Sequence, residues 1–172
     1  IIENDFGSDE YDESIKNLTS LYQNQNYLKS TEELKTHIYC LSKITKYHHR
    51  QSDFFKKIND TYGHNYGDLV LKTLADAFKN FMKSRGRVAR WGGEEFLFIF
   101  HNINGDEASY MLADLQNEIH QMEFRMGGDT VRLTITFGVA EYDLRREADD
   151  TINEADQKLY MGKAQGRDRI VY

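Results

Sequence analysis

The chain has 172 residues, 40% of them hydrophobic and 29% charged, with 11 Tyr and 10 Phe, enough apolar bulk for one domain with a real core. Its net charge of -6 argues against non-specific binding to nucleic acid or an anionic membrane, so an anionic ligand would need local Lys or Arg, or a bridging cation. The single cysteine, Cys40, excludes an intramolecular disulfide and a CxxC metal site, and reads as a small core residue in a reduced, cytoplasmic setting.

Residues 1–14 are acidic and lack the apolar centre of a signal peptide; they read as a leader or connector, with the domain proper over 15–172. No stretch approaches the roughly 18 apolar residues of a membrane span. Over residues 15–50 two readings stay open. Tyr27, Leu28, Leu34, Ile38, Leu41, Ile44 and Tyr47 recur at helical steps, whereas Ile38 and Cys40 alternate as a strand would over His37–Ile44. Asp53–Asp60 predicts a short helix, Thr61–Gly67 a loop because it holds two glycines, and Asp68–Met82 a helix. Val88–Trp91 and Phe96–Phe100 predict a hairpin around Gly92-Gly93. A helix over Asp106–Met122, a strand over Val131–Ala140, a helix over Asp149–Lys163 and a closing strand over Arg169–Tyr172 complete the order. Alternating helices and strands with an internal hairpin predict an α/β (α+β) sandwich, with helices packed on a mixed or antiparallel sheet.

The most specific run is Arg90-Trp91-Gly92-Gly93-Glu94-Glu95-Phe96. Two glycines at a hairpin tip permit positive φ and remove Cβ atoms that would block a ligand. Neighbouring strand residues point to opposite faces, but on a distorted tip both carboxylates can approach one ligand. Upstream stand Phe54-Phe55-Lys56-Lys57-Ile58-Asn59-Asp60 and Gly67-Asp68; downstream stand Asp156, Leu159-Tyr160, Lys163 and Gly166-Arg167. Taken singly, Asn59 and Asp68 read as a helix-terminal Asn and an N-cap Asp, and Lys163 and Arg167 as cations at a helix C-terminus.

Together these motifs resemble the GGDEF family of diguanylate cyclases, in its GGEEF form, over about residues 15–172. Leu18-Thr19-Ser20-Leu21-Tyr22 is similar to the way the family's domain opens. The resemblance implies a palm-like βαββαβ fold with a mostly antiparallel sheet. It also implies condensation of two GTP, each on its own subunit of a dimer, into cyclic di-GMP with release of pyrophosphate, using Mg (or Mn). An upstream sensory domain is implied as a partner. By the same resemblance Glu94 is a metal ligand and Glu95 a second active-site carboxylate, while Gly92 and Gly93 let GTP approach the backbone. Asn59 and Asp68 would read guanine, Phe55 and Lys56 would line the nucleotide pocket, and Lys163 and Arg167 would hold the β- and γ-phosphates. A carboxylate and an amide supply the donor and acceptor types that guanine needs.

Two stretches depart from the family's pattern. An apolar strand ending in Asp-x-Asp usually precedes the Phe-Lys run; Asp53 fits its second Asp, but Gln51 stands at the first and Ser52 between them. The segment Thr45–Arg50 is too polar for a buried strand, so the first strand and its metal-binding Asp are expected to be absent. Three explanations compete: a degenerate GTP-binding module; compensation by Asp53 or a displaced segment; or residues missing between Arg50 and Ser52, with Ser52-Asp53 then completing the metal-binding Asp-x-Asp. The second departure is at the family's inhibitory Arg-x-x-Asp, where this chain has Lys83-Ser84-Arg85-Gly86.

Overall fold

The computed structural model describes residues 37–46, 54–143 and 145–172. The acidic leader, the Leu18–Tyr22 opening, Gln51, Ser52 and Asp53 lie outside the described residues. In chain order the elements are β1 (His37–Lys46), α1 (Phe54–Tyr62), α2 (His64–Met82), β2 (Gly86–Gly92), β3 (Glu95–His101), α3 (Gly105–Gln121), β4 (Phe124–Met126), β5 (Asp129–Val131), β6 (Leu133–Glu141), α4 (Ala148–Ala164) and β7 (Ile170–Val171). Five strands form one sheet in the order β2-β3-β1-β6-β7. Every neighbouring pair is antiparallel except β6–β7.

Each face of that sheet is covered by helices, which explains why β3 and β6 are buried almost throughout. The two faces separate at alternate residues of β3. Phe96, Phe98 and Phe100 join Leu74, Phe78 and Met82 of α2 and Leu112, Leu115 and Ile119 of α3 in the larger core. Leu97 and Ile99 join Ile152, Ala155 and Leu159 of α4 in the smaller one. Phe78 packs edge-on against Phe96 and Phe98, with ring centroids 4.8 and 5.2 Å away, a favoured aromatic geometry. The helix α3 starts where the sequence supplies a capping box. Asn104 accepts from the Glu107 backbone, and the Glu107 side chain accepts from the Asn104 backbone.

Three expectations are corrected. First, the leading strand is present. It is β1, which begins at His37 and takes in only Thr45 and Lys46 of the polar Thr45–Arg50 segment, and it takes the sheet's centre between β3 and β6. This resolves the His37–Ile44 ambiguity in favour of strand: the three-residue spacing of Ile38, Leu41 and Ile44 coincides with helical periodicity, but sheet pairing on both sides wins. Cys40 is fully buried there, and burial pushes its thiol pKa well up, so it is core material.

Second, Thr61–Gly67 is not a loop. The only break between α1 and α2 is Gly63, at φ 88°. Gly67 lies inside α2 for a packing reason, since a Cβ there would fall 2.1 Å from Oδ1 of Asn59. Third, Val131–Ala140 is not one strand: Arg132 separates β5 from β6. The structure also adds a second hairpin there. Gly127 and Gly128, at φ 56° and 95°, turn β4 into β5, the tight turn that two glycines allow. The Tyr62 hydroxyl donates to the Asp129 carboxylate at 2.5 Å, tying this hairpin to α1.

Candidate active site

The Gly92-Gly93-Glu94-Glu95 tip joins β2 to β3 at an irregular point. The pairing register shifts between Arg90 and Gly92, so Gly92 lies opposite Glu95 and one residue is left over. Such a bulge re-aims side chains at a strand end, here at two adjacent carboxylates. Gly93 adopts φ 46°, and a Cβ at Gly92 or Gly93 would meet no atom within 4 Å. The glycines therefore leave open space at the tip, while Arg90 braces it by donating from Nε to the Gly93 carbonyl at 2.7 Å. Arg90 was not singled out from the sequence. Its signal was spacing alone, an arginine three residues before the second glycine.

Lys163, in the last turn of α4, brings its ammonium to 3.9 Å from Glu95, with both side chains half-buried. A partly solvated pair at that distance is worth at most about 1 kcal/mol, so Lys163 is free to exchange Glu95 for a phosphate at little cost. The helix ends at Ala164, so Lys163 and Arg167 do not share a helical face. Arg167 instead sits in the following turn, its amide donating to the Gly162 carbonyl at 2.9 Å.

Asn59 and Asp68 form a second group at the α1–α2 elbow. The N-cap alternative fails for Asp68: Gly63 is the N-cap of α2, which puts Asp68 inside the helix, exposed. Asn59 opens the last turn of α1, as a helix-terminal Asn, and its backbone carbonyl accepts from the Gly63 amide at 2.9 Å. The Asn59 side-chain oxygen is buried against Gly67, next to Asp68, and has no hydrogen-bond partner. An orphaned acceptor of this kind costs about 1–3 kcal/mol, a cost a bound N–H donor would offset. Phe55 and Lys56 lie in the first turn of α1.

The donor set suits magnesium chemically. Glu94 and Glu95 offer hard oxygens, and magnesium is commonly held by one or two carboxylates together with nucleotide phosphates. Among the described residues, no three His, Cys, Asp or Glu side chains converge to make a closed metal cage. The β1 residue paired with Glu95 is Lys43, and His37–Lys46 contains no Asp or Glu, so β1 supplies no carboxylate to the tip.

The β2–β3 tip thus carries two adjacent carboxylates with Lys163 beside one of them, and the α1–α2 elbow carries an unpartnered amide oxygen. The family description "Diguanylate cyclase, GGDEF domain" matches residues 12–169, and the chain belongs to that family. It is 36% identical over 119 residues to diguanylate cyclase A of Treponema denticola, covering 69% of this chain and 32% of that protein. It is 25% identical over 171 residues to an uncharacterized membrane protein of Staphylococcus aureus, covering 90% of this chain and 48% of the relative. The chain thus spans between a third and a half of these curated relatives.

Among solved structures it is similar to the active GGEEF domain of a diguanylate cyclase from Vibrio cholerae, with TM-score 0.67, 25% identity and 91% of each chain covered. It also shares its fold with the GGDEF domain of DgcB from Caulobacter crescentus in complex with c-di-GMP, with TM-score 0.75, 21% identity and 99% and 98% coverage.

Proposed function

We propose that this domain condenses two GTP molecules into cyclic di-GMP and pyrophosphate, as a dimer in which each subunit presents one nucleotide. The observation that carries the reading is the Glu94–Glu95 tip with Lys163 at 3.9 Å from Glu95, metal-type oxygens and a phosphate-type cation on one edge of the sheet. Asn59 and Asp68 hold guanine, Gly92 and Gly93 admit the nucleotide to the backbone, and Lys163 and Arg167 hold the β- and γ-phosphates. By the family resemblance Phe55 and Lys56 are assigned to the nucleotide pocket. Glu95 orients or accepts the proton of the 3′-hydroxyl that attacks the partner's α-phosphate. Glu94, with Asp53 and Ser52 as further candidates, would hold magnesium, which when bound would neutralise charge on the phosphates.

Among the described residues no helix is long and apolar enough to cross a membrane. We read the domain as a cytoplasmic output module joined to an upstream sensor, a reading supported by its spanning only part of the longer relatives. Guanine reading is tested by titrating GTP and ATP. Asp68→Ala is expected to weaken GTP binding by roughly 10- to 100-fold, the loss of a hydrogen bond to a charged group, with little change for ATP. Equal losses for both nucleotides would contradict the assignment.

A second reading has its own support. Gln51 replaces the family's first Asp, and β1 brings Lys43, not a carboxylate, opposite Glu95. A module that binds GTP and signals by protein contact, without turnover, would tolerate both.

Product feedback through the family's inhibitory motif is not expected here. Arg85 is engaged locally, over the Phe81 ring at 4.8 Å from its centroid and bonded to the Phe81 carbonyl. A Cβ on Gly86 would lie 1.9 Å from the Ile99 carbonyl oxygen, so the backbone in this arrangement leaves no room for the family's Asp. Added cyclic di-GMP should leave the initial rate unchanged when GTP is saturating; non-competitive inhibition in that assay would contradict this reading.

A further inference from the structure

The turn after α4 places three successive residues at positive φ: Gly166 at 114°, Arg167 at 63° and Asp168 at 50°. Glycine adopts such a backbone freely, but arginine and aspartate do so only when their surroundings hold them. Here the hold comes from three elements. The Arg167 amide donates to Gly162 of α4 at 2.9 Å, the Asp168 amide donates to Oγ1 of Thr136 on β6 at 2.9 Å, and the Arg169 carbonyl accepts from the Phe137 amide at 2.8 Å. The third element is α3, reached by the Asp168 side chain. Its Oδ1 accepts from His120 Nε2 at 2.8 Å and from Gln116 Nε2 at 3.1 Å. An ionised carboxylate only accepts, so His120 presents its proton at Nε2. Gln116 is itself fixed, donating to the Ile135 carbonyl at 2.9 Å.

We infer that Asp168, anchored by His120 and Gln116, is a positioning residue for Arg167. It keeps the turn in its left-handed form and so fixes where the Arg167 guanidinium meets the terminal phosphates of the nucleotide. The inference rests on the reading of Arg167 as a phosphate contact. Backbone strain shared by two adjacent side-chain-bearing residues makes the link physical: once Asp168 releases α3, the turn relaxes toward negative φ and the Arg167 side chain leaves in a different direction.

The test is a set of titrations of the intact protein with GTP, and with GMP, which lacks the terminal phosphates. Asp168→Ala is expected to weaken GTP binding about tenfold, the scale of one charge-assisted contact, with GMP unaffected. Asp168→Asn should recover most of the affinity, because its amide oxygen still accepts from His120 and Gln116. The double variant Arg167→Ala/Asp168→Ala should bind GTP no more weakly than Arg167→Ala alone, the signature of two residues acting through one contact. His120→Ala removes one donor and leaves the backbone bonds; it should show a smaller loss, again confined to GTP, and it carries the test if Asp168→Ala does not fold.

Additive losses in the double variant, equal losses for GTP and GMP, or unchanged GTP affinity in both Asp168→Ala and His120→Ala would overturn the inference. If Arg167→Ala itself binds GTP normally, the phosphate role of Arg167 falls first and the inference falls with it. If Arg167→Ala is weakened and Asp168→Ala is not, the inference alone falls.

Discussion

Glu94→Ala should lower cyclic di-GMP formation on the order of a thousandfold while leaving the fold intact. Glu94 sits half-buried at the hairpin tip, outside both cores, so its removal creates no cavity and its structural cost is small. Its chemical cost is large, because the site has few carboxylates to spare. β1 contributes none, and pre-arranged charge aimed at a transferring phosphoryl group is commonly worth several kcal/mol in the transition state. The check is a rate measurement beside a thermal melt of the same preparation. A normal melt with the rate retained would remove Glu94 from the metal-binding role.

The largest expected effect on stability lies within the sheet itself. Gly138 is in the middle of β6, where α4 crosses the sheet. A Cβ there would stand 2.0 Å from the Ala155 carbonyl oxygen and 2.3 Å from the Leu159 amide nitrogen. Both are backbone atoms inside a helix, so no side chain can rotate away and α4 must lift. Gly138→Ala should therefore destabilise the domain by about 3 kcal/mol, lowering Tm by roughly 10 °C for a chain of this size. Because Lys163 rides on α4, GTP affinity should fall as well. A variant melting within about 2 °C of the wild type would show that α4 is not seated on β6 as described.

The two glycine-dependent features were unequally legible in the sequence. Gly92-Gly93 lies between two apolar runs, and its hairpin was readable from that alone. Gly67 looked the same locally, but its small size serves contact with Asn59 across the elbow, which no local pattern encodes. The same holds for β6. Its Gly138 is demanded by α4, and its Thr134 and Thr136 are buried because both faces of the sheet are covered, so a period-two reading misjudged its alternation. β1 was ambiguous because Ile38, Leu41 and Ile44 satisfy helical spacing while pairing with two strands decides otherwise. His120 and Gln116 were illegible for a related reason: each acts through Asp168, which folding, not spacing, brings near. The family was more legible than the details of the fold, because GGEEF, Asn59, Asp68, Lys163 and Arg167 stand in a specific order along the chain.

The measurement that bears most directly on the central claim is product formation from GTP and magnesium by the wild-type protein, resolved by mass spectrometry over a range of protein concentrations. Cyclic di-GMP and pyrophosphate should appear together, with specific activity rising as concentration favours the dimer. GTP bound at every concentration with no cyclic dinucleotide formed would contradict the cyclase reading and leave the non-catalytic GTP-binding module in its place.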